Sequence, residues 1–428
     1  EALTIPDFLH DVCSAAHPMA ASSPFFRELP LEKFGLEWIH SPVPFAHPLD
    51  GSAVVQKRSL EETAALLGAD EAAYLSLMKP FVDHWDDLVS DTMGPVLHVP
   101  KHPLLLARFG LQALLPATTL MKLRFQTPEA RALFTGVAAH SALPLNYTSS
   151  AAVGLVLTAA GHAVGWPIPR GGSGQIARAM VEYLKSLGGE VQIDAPVTSL
   201  AELPEARWVF LDITPRQALP IVGDRFPKMF RRRLSRFRYG PGVFKMDWAL
   251  SAPIPWSSPE CATASTVHLG GTFDEMIDSE AGIVEGRCAE KPYTLLCQPS
   301  LFDSTRAPQG KHTVWAYCHV PNSSVEDMSS RIENQIERFA PGFKKLIIGR
   351  SQLNTAQLEA RNANLIGGDI SGGAVDFRQI LFRPANPFNP YETPDPGIFF
   401  CSSSTSPGPG VHGMCGMLAA RAALNQLT

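Results

Sequence analysis

The sequence predicts an α/β protein built from two intertwined parts. Three observations carry that expectation. Short apolar runs with strand character alternate with amphipathic helical runs, with long excursions between them. The chain closes on a strand, a Gly-rich loop and an Ala-rich helix. Its 428 residues suffice for two or three domains with a sizeable core. Because helical and extended stretches intermingle, discontinuous domains are expected rather than beads on a string.

Residues 1–60 read as irregular and rich in Pro, His and Phe. Helical spacing with acidic starts marks 60–67 and 71–90, and 100–165 is mostly apolar and helical, broken at Pro116, Pro144 and Gly165. No run reaches the ~18–20 apolar residues of a spanning helix. Leu104-Leu105-Leu106 and the 111–115 stretch suit either a core or a membrane surface. A helix is predicted over 175–187, ended by Gly188-Gly189, with a strand over 190–193. Gly172-x-Gly174-x-x-Ala177 with Asp194 imitates a dinucleotide site, but Pro167 and Pro169 sit where its feeding strand belongs. Strands follow at 207–213, ending at Thr214-Pro215, and at 242–250, 294–298 and 313–319. An amphipathic helix covers 329–339.

At the C-terminus, 397–401 reads as a buried strand, 402–413 as a loop and 414–427 as a helix. Such a strand–loop–helix unit makes an anion cradle: small residues admit a ligand, and unpaired N–H groups with the helix dipole favour negative charge. Gly408-x-Gly410-x-x-Gly413 matches the dinucleotide fingerprint, but a dozen residues replace its tight turn and no second strand follows. The loop suits part of a dinucleotide, the rest being held elsewhere.

Composition excludes several classes. A net charge of −5 and a pI near 6.2 argue against a nucleic-acid partner. The densest basic run, Arg231-Arg232-Arg233 with Arg236 and Arg238, fits a solvated face or a contact with anions or lipid headgroups. Seven scattered cysteines without C-x-x-C, and thirteen histidines without H-E-x-x-H, predict no metal site. Reduced thiols make a cytoplasmic setting the expectation. The chain opens on Glu1 without a basic or apolar leader, so residues upstream are expected to have been removed.

Several ordered motifs resemble one family. They are Pro-Arg-Gly-Gly at 169–172, Gly-Gly-Glu-Val at 188–191, Thr214-Pro215, and the Thr-x-Pro-Gly-x-Gly-Val-His-Gly run at 405–413. His10-Asp11-Val12-Cys13-Ser14, the 239–245 and 266–271 stretches, Gln298-Pro299-Ser300 and Gly367-Gly368-Asp369-Ile370 agree with it. From residue 1 to 428 the chain resembles the phytoene desaturase-related FAD-dependent oxidoreductases. It is most similar to the branch called pyridine nucleotide-disulfide oxidoreductase domain-containing protein 2. The family's opening βαβ unit, with its Gly-x-Gly-x-x-Gly turn and ribose-binding carboxylate, has no counterpart here. Ser402, Ser406 and Pro409 also depart from the family's usual residues.

The resemblance implies a glutathione-reductase and amine-oxidase-like fold. An FAD-binding part would use 1–20, 165–225 and 365–428, and a mixed-sheet substrate part with a helical cap would use 21–164 and 226–364. FAD is the implied cofactor, with Thr405, Gly408, Gly410, Val411, Gly413 and Met414 in the cradle. Val197 matches the position whose backbone contacts adenine, or is a plain core valine. Arg170 with Gly171 and Gly172 belongs near the isoalloxazine or at the domain junction, or Arg170 is an ion-paired hinge residue. His412 reads either as an acid–base group or as a structural histidine. Strand alternation puts Val243, Lys245 and Asp247 on one face and Phe244, Met246 and Trp248 on the other. Gly-Val-Phe-Lys resembles amine oxidases, in which a strand lysine holds a water at flavin N5. Lys245 is therefore a candidate catalytic residue, or an exposed lysine paired with Asp247. The implied activity is hydride transfer from an apolar, isoprenoid or lipid-like substrate to flavin N5. A cofactor-free binding or scaffolding protein is the alternative. Peripheral membrane contact and a homodimer stay open as further partners.

Overall fold

In the computed structural model, which describes residues 1–427, the chain folds around one large mixed sheet. The strands are β1 (Trp38–Ile39), β2 (Val43–Leu49), β3 (Ser52–Gln56), β4 (Ile168–Pro169), β5 (Val209–Leu211), β6 (Gly242–Leu250), β7 (Ala264–Leu269), β8 (Thr294–Cys297), β9 (His312–Val320), β10 (Ile347–Leu353) and β11 (Ile398–Phe400). Seven of them form the large sheet in the order β10-β6-β9-β8-β7-β2-β3, and only β2–β7 is parallel within it. The other four make two small pairs, antiparallel β1–β4 and parallel β5–β11.

Two short helices, α1 (Pro18–Ser22) and α2 (Pro24–Glu28), lie in the N-terminal segment. A helical layer follows: α3 (Leu60–Leu66), α4 (Glu71–Asp83), α5 (Trp85–Thr92), α6 (Pro103–Ala113), α7 (Ala117–Arg124), α8 (Pro128–Ala138) and α9 (Ser150–Ala163). Side-chain caps start these helices where the sequence provides them. Ser59 accepts from Glu62 N–H ahead of α3, and Thr127 accepts from Ala130 N–H ahead of α8. The remaining helices are α10 (Gly174–Ser186), α11 (Pro215–Val222), α12 (Lys228–Leu234), α13 (Phe273–Val284), α14 (Ser329–Phe339), α15 (Thr355–Arg361), α16 (Phe377–Leu381) and α17 (Met414–Leu424).

The large sheet separates two cores. Phe244, Met246 and Trp248 of β6 pack under α14 with Ile332, Ile336 and Phe339. The opposite face presents Val243, Leu295, Trp315 and Tyr317 to a second cluster, and Phe45 and Val54 to the helical layer. Period-two alternation on β6 thus holds as expected.

Two expectations need correction. Residues 43–56 form the β2–β3 hairpin, although Pro44 and Pro48 made that stretch read as irregular. Residues 190–193 form no strand: Val191 and Ile193 are 45% and 81% exposed, with no neighbouring strand to receive their backbone groups. Among the described residues, no single helix is long and apolar enough to cross a membrane. All seven cysteines are free, and no His/Cys/Asp/Glu group of metal-ligating geometry occurs among the described residues.

Candidate active site

Lys245 sits near the middle of β6 and is 3% exposed. Its ammonium pairs with Asp247, two residues along the same face, and lies 5.8 Å from the Trp315 ring centre. Burial drives both partners toward neutrality: it lowers the lysine against the pull of Asp247, and lifts the Asp247 carboxyl to about 6 against the opposing effect of Lys245. The pair is thus a buried acid–base couple in a desolvated place. The exposed-lysine reading is excluded, while the Asp247 pairing it invoked is present.

The N-terminal segment ties this pair to the other motifs. His10 Nδ1 lies 3.6 Å from Asp247 Oδ1, and neither atom has a hydrogen-bond partner; His10 Nε2 shares a 2.8 Å hydrogen bond with Thr4. One residue on, Asp11 accepts from Ser173 N–H at 2.7 Å, directly after the Pro169-Arg170-Gly171-Gly172 turn. Ser14 carbonyl and His17 Nε2 both reach Ser173 Oγ, at 2.6 and 2.8 Å. Further along, Ser23 Oγ donates to His412 carbonyl at 2.6 Å. Residues 10–23 thus lace Lys245, the Gly-Gly turn and the C-terminal loop into one locus.

The turn rests on buried charge. Arg306, fully buried, lies 3.0 Å from Asp11 and 2.9 Å from Asp303, and Asp303 accepts from Gly171 N–H at 2.8 Å. A Cβ on Gly172, whose φ is +103°, would come within 3.1 Å of Asp11 and 3.2 Å of Arg306, which is why glycine stands there. Arg170 points away from the turn into a surface ion pair with Glu37 at 2.6 Å.

The C-terminal loop is held from within. Thr405 is buried, and both its N–H and its hydroxyl bond Ser402 carbonyl. His412 Nδ1 accepts from Met414 N–H and its Nε2 faces Gly408 carbonyl, both at 3.1 Å. That carbonyl needs a donor, so Nε2 carries the proton, and burial lowers the ring to about 4. His412 is a neutral brace for the loop rather than a free acid–base group. Val411 packs beside Ile176, and Met414 enters the helical core. Val197 is 37% exposed in an irregular segment, outside any core.

Room for a cofactor is tested by what a side chain would meet. Nothing lies within 4 Å of a Cβ placed on Gly408. A Cβ on Gly413, by contrast, would strike the Phe25 ring at 2.4 Å, so α2 fills that side. Among the described residues, no acceptor takes the N–H groups of Gly410, Val411 or Gly413, which open the α17 N-terminus. Asp212, which follows β5, and Cys13 both touch solvent, and partial desolvation raises the pKa of each. The open glycine and the free donors fit a dinucleotide cofactor at its central portion.

Asp11, Ser173, Asp303 and Arg306 were not singled out individually from sequence, although the 10–14 motif held the signal. Arg383 gave none: fully buried, it donates to the carbonyls of Ser371, Gly373, Ala374 and Ser403, clamping 371–374 onto the loop.

No protein-family model matches the chain. It is 29% identical over 265 residues to pyridine nucleotide-disulfide oxidoreductase domain-containing protein 2 of Rattus norvegicus, covering 56% of this chain and 43% of the relative. It is 22% identical over 274 residues to the neurosporene-forming phytoene desaturase of Rhodobacter capsulatus, covering 58% and 51%. The matched stretches thus span about half the length of these curated relatives. An oxidoreductase from Methanosarcina mazei superposes with a TM-score of 0.61 at 12% identity, covering 98% of this chain and 90% of that one. Putrescine oxidase bound to putrescine gives 0.56 at 16%, covering 95% and 87%. The chain is thus similar in sequence to pyridine nucleotide-disulfide oxidoreductase domain-containing protein 2 and to phytoene desaturases, and its fold is that of the amine oxidase-like oxidoreductases.

Proposed function

We propose that the protein is an FAD-dependent oxidoreductase of the dehydrogenase or desaturase type, acting on an apolar, isoprenoid or lipid-like substrate. The observation that carries this reading is the lacing of Lys245, the Gly-Gly turn and the C-terminal loop by residues 10–23. When bound, the flavin supplies a two-electron acceptor for hydride from an activated carbon. The chain's own part is to bind, orient and manage protons. The free N–H groups of 410–413 would hold negative charge, and the Lys245–Asp247 pair would take or return a proton in a place shielded from bulk water. Trp315 and Tyr317 supply apolar surface beside that pair on the same sheet face.

The adenosine end has a weaker seat. The β5–β11 sheet is two strands wide and parallel, with Phe210 stacked on Phe399 and still 39% exposed. β5 has no second partner strand among the described residues, so its free edge is suited to extension by further strands. We therefore expect a strand–Gly-x-Gly-x-x-Gly–helix unit joined to the chain to complete the grip. Titration with FAD, followed by calorimetry and by absorbance at about 450 nm, tests both steps. Tight uptake only by the extended protein supports the reading. Equal affinity without the unit removes the second step, and no uptake by either protein favours a cofactor-free binding role.

A further inference from the structure

An acid-free run of the chain coincides with a cluster of exposed apolar side chains. From Thr92 to Pro128 there is no Asp or Glu, although the chain holds 41 such residues in 428. The same run contains Lys101, Arg108, Lys122 and Arg124. Within it, Val99 is 90% exposed, Leu104 87%, Leu111 72%, Leu114 47% and Leu123 71%. Leu104, Arg108 and Leu111 follow one another at helical spacing along the outer face of α6, while Phe109 and Ala113 face the core. The axis then bends by 99° into α7. At 11 and 8 residues neither helix can span a bilayer, which leaves a bent amphipathic elbow lying along a surface.

The cations on this face are available. Arg108 bonds only Ser76 carbonyl, Lys122 lies over the Phe273 ring, and neither these nor Lys101 forms an ion pair among the described residues. The nearest carboxylates are engaged: Asp91 accepts from the Lys101 and His102 amides, Asp83 pairs with Lys79, and Asp87 lies 3.4 Å from His84 and His102. A groove of about 920 Å³ opens beside Leu104, lined by Lys79, Lys101 and Arg108 and also by Asp83 and Asp87.

We infer that the α6–α7 elbow is a docking surface for an anionic lipid bilayer. Leu104, Leu111, Leu114 and Leu123 enter the acyl boundary, and Lys101 and Arg108 meet lipid phosphates. Charge selects this occupant: the elbow carries unpaired cations and no carboxylate of its own, and the neighbouring Asp83 and Asp87 are engaged, which suits a negative lipid surface, while the chain as a whole, at −5, would be repelled by it. The inference does not rest on a bound flavin.

Flotation on a sucrose gradient with vesicles of phosphatidylcholine alone, or with about 30% phosphatidylglycerol, tests it. The wild-type protein floats with the anionic vesicles. Leu111→Asp/Leu114→Asp lowers the bound fraction about tenfold or more. Lys101→Glu/Arg108→Glu abolishes the preference for anionic lipid, and Met229→Asp, at an exposed site on α12, changes nothing. All variants alter exposed side chains, and circular dichroism verifies their folding. A wild-type protein that stays at the bottom of both gradients overturns the inference. So does a wild-type dimer that the leucine variant converts to monomer without loss of lipid binding, since a second copy would then be the occupant.

Discussion

Lys245 and His268 stand on the same face of the large sheet, in one lateral row. Lys245 pairs with Tyr317, Tyr317 with Leu295, and Leu295 with His268, so three strand steps, about 14 Å, separate them. His268 in turn shares a 2.8 Å Nε2–Nε2 hydrogen bond with His140. The row is a continuous line of buried side chains, with Tyr317 and Leu295 between the lysine and the histidine. It locates proton chemistry at one end, because only Lys245 on this row is paired with a carboxylate.

Replacing Lys245 with Met should therefore slow reaction rather than weaken binding. In flavin-loaded protein, reoxidation of chemically reduced flavin by oxygen is expected to fall by about 10²-fold, the scale of losing a positioned proton-transfer group. FAD affinity should stay within about twofold. Rapid-mixing absorbance reads both halves of the cycle. Wild-type rates in each would make Lys245 a structural member of the β6 pair.

Gly413→Val should destabilise the protein through the fold, whatever the cofactor does. Gly413 has φ +66° at the α17 N-cap, and its missing Cβ faces the Phe25 ring at 2.4 Å. Left-handed backbone alone costs a β-branched residue about 1–3 kcal/mol, and displacing Phe25 adds to that. Urea denaturation would show the loss, and Gly413→Asn should retain more stability than Val. Equal midpoints for wild type and Val would mean the loop relaxes without strain.

What the sequence made legible follows from range. Local periodicity located α14 to the residue and β6 to its exact span, because alternation and amphipathicity are written within a few neighbours. The β2 strand was hidden by Pro44 and Pro48, and its pairing with β3 and β7 is a tertiary fact. The same holds for the site. Glycines of the loop announce themselves, whereas the partners of Asp11 lie 162 and 295 positions away, at Ser173 and Arg306. Residues 190–193 carried strand character that nothing in the described chain pairs with.

Stability should fall as pH drops from about 6.5 to 4. Burial lowers His10 and His140 to about 3, His17, His47, His162 and His412 to about 4, and His268 well below its ordinary value. Each is neutral when folded but takes a proton near pH 6.5 when unfolded. The unfolded chain then binds more protons, so stability rises with pH across that window and is lost on acidification. Asp212, Asp247 and Asp369, raised by burial, act in the opposite sense but are fewer. Denaturation midpoints at pH 7.5, 6 and 5 should decrease in that order. A flat series would show that these histidines become hydrated without unfolding.

Arg306→Met should be among the costliest single changes in the molecule. The guanidinium is fully buried between Asp11 and Asp303, and its removal leaves two buried carboxylates facing each other without a counter-charge. Breaking such an arrangement costs about 3–5 kcal/mol, because the remaining charges keep their desolvation penalty. Arg306→Lys keeps the charge but cannot reach both carboxylates with a planar fork, so it should recover only part of the loss. Adding Asp11→Asn to Arg306→Met removes one of the stranded charges, and the double variant should lose less than the sum of the two single changes. The loss should also appear locally, as faster amide exchange at Gly171 and Ser173, whose N–H groups these carboxylates accept. Additive losses with unchanged exchange at those two amides would show that Arg306 does not hold the turn.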